Sequence, residues 1–110
     1  MTDVDIRHHF GGGVYIKETR IPPGFVLVQH KHKFDHLSIL ASGAAVVNGT
    51  VHTGPTVLVI KAGEAHGVRA LSDCLWYCVH ATTVTDPADV DEVLIVPSSE
   101  AEIREVVERT

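Results

Sequence analysis

The chain has 110 residues, 45% of them hydrophobic and 21% charged, with a formal net charge of −5, the balance of a soluble globular domain and not of a fibrous or disordered chain. That charge, with no run of Lys and Arg, argues against nucleic acid and anionic membranes as partners. The longest apolar stretches, such as Val57-Leu58-Val59-Ile60, are too short to span a bilayer, and the polar start Met1-Thr2-Asp3-Val4-Asp5 lacks the pattern of a signal peptide, so one cytoplasmic domain over residues 1–110 is expected.

In chain order, His8 and His9 read as surface residues near the start. Val14-Tyr15-Ile16-Lys17-Glu18-Thr19-Arg20-Ile21 is rich in β-branched and aromatic residues and predicts a strand that ends at Pro22-Pro23-Gly24. Phe25 to His30 predicts a second strand, and His36 to Leu40 a third, stopped by Ser42-Gly43. Ala44-Ala45-Val46-Val47 and Thr50-Val51-His52 flank Asn48-Gly49, the dipeptide best suited to a type I′ hairpin because both central positions need positive φ. This turn leaves His52 exposed. Further strands are expected at Thr56–Ile60, at His66–Leu71 and, longest of all, at Leu75–Val84. Many short strands with regular turn signals imply an all-β sandwich or barrel, here over about residues 14–84.

The C-terminal extension, about 85–110, differs in texture. Asp86-Pro87 suits a short helical turn. Ser99-Glu100-Ala101-Glu102 is a capping box, and Ile103, Val106 and Val107 follow at helical spacing, predicting a helix from about Ser99 to Arg109 with its charged face to solvent.

The two cysteines, Cys74 and Cys78, are four apart in a strand, so their Cα atoms lie roughly 13 Å apart, beyond the roughly 7 Å a disulfide allows. Two buried thiols are expected, as suits a reducing compartment.

Eight histidines are present. His30 and His32, two apart in an extended segment, present two imidazoles on one face, a chelating pair for a transition metal. His36 follows across Lys33-Phe34-Asp35, where a turn would return it to the pair, and His66 opens a later strand able to run beside the earlier one. The alternative for any single one of them is a hydrogen-bonded core histidine. Four together are harder to explain that way, because each ring nitrogen removed from water needs a partner.

Gly24, His30, His32, His36 and Gly43 together resemble the first motif of the cupin superfamily (Gly, five residues, His, one, His, three, Glu, six, Gly), with every spacing kept and His36 where Glu is usual. Gly54, Gly63 and His66 resemble the second motif in a degraded form: Gly54 stands one residue too far back, Lys61 replaces Pro and Ala70 replaces Asn. The resemblance spans residues 24–70. It implies an all-β cupin jelly-roll β-barrel with a short C-terminal helix. It also implies that His30, His32, His36 and His66 hold one divalent transition metal per chain. Four neutral imidazoles would leave that ion at about +2, against about +1 with a carboxylate in the set, a stronger Lewis acid and a better host for anions. An all-nitrogen set favours Fe, Ni, Cu, Zn or Mn over Mg²⁺ or Ca²⁺.

The function the resemblance implies is that of a metalloenzyme acting on a small oxygen-bearing molecule, dioxygenase-like, or isomerase- or lyase-like through a metal-bound enolate. The alternative is a non-catalytic module binding a metal or small ligand. His80, Tyr15 and Tyr77 are the candidate catalytic acids and bases, with core packing as the other reading of each. Alternation places His80 with Cys74, Trp76 and Cys78 on one face and Tyr77 on the other, without revealing which face is inside. A homodimer is the expected assembly.

Overall fold

The computed structural model describes residues 4–29, 31–82, 95–96 and 100–110. Among these residues eleven strands and one helix follow in order: β1 (Asp5–Gly11), β2 (Val14–Ile21), β3 (Val26–Gln29), β4 (Lys31–His32), β5 (His36–Ser42), β6 (Ala44–Val47), β7 (Thr50–Thr53), β8 (Thr56–Ile60), β9 (His66–Ala70), β10 (Cys74–Ala81), β11 (Ile95–Val96) and α1 (Glu100–Arg109). The expected all-β jelly roll with a short C-terminal helix is the fold observed.

Two antiparallel sheets face each other, one ordered β1-β2-β10-β5-β8 and the other β3-β9-β6-β7, while β11 pairs with β4. Register turns the inner face of the larger sheet into horizontal rows. The deepest aligns Ile6, Thr19, Trp76, Leu40 and Thr56, and the next aligns His8, Lys17, Cys78, Ser38 and Leu58. Above them Phe10, Tyr15 and His80 lie in register, and the same pairing carries His80 beside His36 and Ile60. On the opposing sheet Gln29 pairs with His66, Val68 with Leu27 on one side and Val47 on the other, and Ala70 with Ala45. The barrel is thus layered. Ile21, Leu40, Ala45, Val47, Val68, Ala70, Cys74 and Trp76 fill an apolar floor, each large side chain there contributing about 1.5–3 kcal/mol by leaving water. The polar residues gather in the rows above.

Local chemistry sets the bends. Asn48 and Gly49 both have positive φ (49° and 78°), and Val47 pairs with Thr50 across them, the hairpin that Asn-Gly predicts. Gly43 closes the turn between β5 and β6 at φ 89°, where a Cβ would collide with the Asp73 carbonyl. That collision is the physical reason for glycine at the end of the first motif.

β10 settles the orientation that alternation left open: Cys74, Trp76, Cys78 and His80 are buried, and Leu75, Tyr77 and Val79 lie on the half-buried outer side. Both cysteines are free. Cys78 is a polar junction: its Sγ accepts from Trp76 Nε1 at 3.2 Å and from Ser38 Oγ at 3.6 Å and donates to Gln29 Oε1 at 3.2 Å. Burial pushes the pKa of this thiol above its usual range, although the hydrogen bonds from Ser38 and Trp76 oppose that shift.

Two elements are additional to the sequence reading. β1 was read only as surface histidines, and β11 is too short to carry a periodic signal. The expected helical turn at Asp86-Pro87 and the Ser99 cap lie outside the described residues. Helix α1 begins with Glu100 and Glu102 in its first turn, the placement that the positive helix start favours. It packs on β3 and β9 through Val106, which is buried. Among the described residues no helix is long and apolar enough to cross a membrane.

Candidate metal centre

Three imidazoles meet at the top of the layered interior. His32 comes from β4, His36 from the first position of β5 and His80 from near the end of β10. Their ring centroids are 4.2 Å apart for His36–His80, 4.4 Å for His32–His36 and 4.7 Å for His32–His80. Each offers a ring nitrogen within 4.8 Å of the other two, and all three side chains are buried.

The strands explain this convergence. Lys33-Phe34-Asp35 bends the chain between β4 and β5, and the backbone N–H of Ala62 donates to Asp35 Oδ1 at 2.7 Å, tying that bend to the end of β8. β10 lies between β2 and β5, so its inner residues sit beside those of β5. His36 Nε2 lies 3.4 Å from Ser38 Oγ, and His36 Nδ1 is buried with no hydrogen bond among the described residues. His66 is fully buried at the start of β9, near enough that a charge on it would act on His36.

Burial keeps two of the rings, His36 and His80, neutral. His36 is lowered from 6.5 to about 3, first by burial and then by the positive charges His80 and His66 would carry, with Asp35 opposing. His80 is lowered to about 4, first by burial and then by Lys17. Buried imidazoles with ring nitrogens this close to one another form a donor set suited to a transition metal. The unpartnered, buried Nδ1 of His36 also fits a missing electrophile, since a buried ring nitrogen without a partner is costly. The residues present therefore fit a metal ion.

The structure treats the sequence candidates differently. It brings His32 and His36 together and sets His66 close by, while His30 lies outside the described residues. His80, weighed as an outlying base or a core residue, stands within the cluster. Tyr15 is buried, its ring stacked at 4.8 Å on Phe10 and at 6.0 Å on His80, and its hydroxyl lies 2.6 Å from His8 Nδ1. Tyr77 faces outward on β10, away from the imidazoles. Lys17 carries no motif signal, and His8 reads from sequence only as a surface residue. Alternation alone marks Lys17: it shares a strand face with Tyr15, Thr19 and Ile21. Its relevance depended on which face was inside. A cleft of about 550 Å³ opens beside α1, lined by Lys31, Glu64, Glu102 and Glu105 among others, and none of the three imidazoles lines it. Lys31 Nζ is already paired there with Glu102 Oε2 at 2.7 Å.

No protein-family model and no curated protein sequence matches the chain. Its shape does have counterparts among solved structures. An ectoine synthase from P. lautus is 19% identical, with a TM-score of 0.66 over 91% of this chain and 82% of that one. A cupin superfamily protein from Desulfitobacterium hafniense is 15% identical, with a TM-score of 0.63 over 73% and 78%. KdgF from Halomonas sp. is 17% identical, with a TM-score of 0.59 over 69% and 76%. At these identities the likeness shows the fold alone.

Proposed function

We propose that this chain, whose fold is that of the cupins, is a metal-dependent protein that binds one divalent transition metal ion at the imidazole cluster and acts there on a small oxygen-bearing molecule. The observation that carries the reading is the buried trio His32, His36 and His80, with His36 and His80 lowered well below the ordinary imidazole value by burial and His36 Nδ1 lacking a hydrogen bond among the described residues. His32, His36 and His80 would hold the ion, with His66 beside them and His30 the further candidate from the motif. A bound transition metal supplies Lewis acidity toward a carbonyl, enolate or carboxylate oxygen and, if it is iron, redox chemistry.

The chain's own residues do the rest. The apolar floor below the cluster bars water from beneath and fixes a ligand's orientation from above. Ser38 Oγ lies between His36 Nε2 and Cys78 Sγ and steadies the His36 ring. Tyr15, stacked on His80, fixes that ring's plane, and its hydroxyl with His8 forms a pair able to hold a proton at the edge of the site.

The test is metal content by elemental analysis of protein purified without a tag, for the wild type and for His36→Ala and His80→Ala. About one Fe, Ni, Mn, Cu or Zn per chain is expected in the wild type, with at least about a tenfold weaker hold in either variant. Iron would direct the work to oxygen uptake with diketones, thiols and phenols. Wild-type protein that neither contains a metal nor takes one up on reconstitution would defeat the proposal.

A further inference from the structure

Lys17 lies on the inner face of β2, in the row between the apolar floor and the imidazole layer. On its strand it alternates with the buried Tyr15 and Thr19, and across the sheet it pairs with His8 on one side and Cys78 on the other. The side chain is half-buried. Among the described residues its ammonium makes no ion pair and no side-chain hydrogen bond. The adjacent carboxylate, Glu18, belongs to the other face, where its Oε1 lies 3.1 Å from His9 Nε2. A cation drawn partly out of water is stable only if an anion reaches it, and the inner face around it offers a thiol, a hydroxyl, a phenol and imidazoles. Its field is felt there, since after burial it is the second influence that lowers the pKa of His80.

The surroundings suit a carboxylate. Tyr15, one inward position along β2, holds its hydroxyl against His8, so a phenol and an imidazole stand beside the ammonium as further donors. His80 is the diagonal neighbour of Lys17 across the β2–β10 pair, a backbone separation of about 7–8 Å. A molecule of a few carbons spans that distance.

Resting on the reading of the imidazole cluster as a ligand site, we propose that Lys17 anchors the carboxylate of a small organic acid whose other oxygen-bearing end reaches His32, His36 and His80. The site therefore selects anionic substrates over neutral ones of the same shape. Lys17 is a binding residue and takes no part in bond making.

The experiment is calorimetric titration of malonate, and separately of the uncharged malonamide, into wild-type, Lys17→Met and Lys17→Arg protein, each metal-free and again after Zn(II) loading. Malonate is expected to bind the metal-free wild type, to bind Lys17→Met at least about tenfold more weakly and to recover most of that loss in Lys17→Arg. Malonamide is expected not to compete. Equal malonate affinity in wild type and Lys17→Met, or malonamide binding as tightly as malonate, overturns the anchor. Zn(II) titration of the same samples reads the cluster separately. Loss of Zn(II) binding with Lys17-dependent malonate binding intact defeats the metal reading and keeps the anchor. Zn(II) binding with malonate indifferent to Lys17 does the reverse. If Lys17→Met loses its far-UV signature, Lys17→Gln is scored by the same criteria.

Discussion

The imidazoles of His36 and His80 tie stability to pH through their burial. Their folded values, about 3 and about 4, lie below the ordinary 6.5. Between those limits the unfolded chain takes up protons that the folded chain refuses, so their contribution is fully present above about pH 6.5 and is lost as pH falls toward 4 and then 3. Groups facing them act on the same balance: His66 and Lys17 discourage protonation and Asp35 favours it. The melting temperature of metal-free protein should therefore fall from about pH 7 to about pH 4.5, and His36→Asn should flatten that slope. An identical slope in the variant would show that other groups control acid stability. A bound metal competes with protons for the same lone pairs, so loading should steepen the dependence. At this scale the sequence was partly legible. The His-x-His spacing and the third histidine at His36 were plain, because local spacing fixes which side chains share a face. His80 and Lys17 were not, because their relevance depends on which side of β10 and β2 is turned inward.

Helix α1 shows how an element is seated by very few contacts. Val106 is its buried residue, and Thr110, whose Oγ1 donates to the Val106 carbonyl at 2.6 Å, rests its side chain where a Cβ on Gly67 would stand. Gly67 lies opposite Val28 on the outward side of the β3–β9 pair, while its neighbour His66 points into the barrel. A Gly67→Val change should lift the end of α1 from the sheet. Faster amide exchange is expected at Val106 and Thr110, with only about 1 kcal/mol lost in global stability, since the barrel floor is untouched. Unchanged exchange in the helix would show that its hold lies elsewhere. The helix was foreseen from Ile103, Val106 and Val107, yet only Val106 of the three is buried; Ile103 and Val107 stay exposed. Periodicity marks an apolar stripe, but docking over one narrow glycine decides which of its residues is covered.

At the scale of the whole molecule, among the described residues the outer face of β5 and β8 is apolar and exposed. On the outer side of β5 and the edge strand β8, Leu37 pairs with Val59 and Ile39 with Val57, and Leu37, Val57 and Val59 are 47%, 61% and 60% exposed. The homodimer expected from the resemblance is proposed to form across this face, because two copies related by a two-fold axis would bury the same patch on each. Sedimentation should give a dimer for the wild type and a monomer for Val59→Lys; a wild-type monomer at all concentrations would exclude it. The sequence alone determined the β class, the hairpin at Asn48-Gly49, the helix and the spacing that sets His32 near His36, since each depends on residues a few positions apart, where backbone sterics and side-chain alternation dominate. Tertiary structure alone decided that β10 lies between β2 and β5, and with that, that His80 joins His32 and His36 and that Lys17 faces inward. Strand order is set by burying one contiguous apolar floor from residues as distant as Ile21 and Trp76, and no local pattern records that condition.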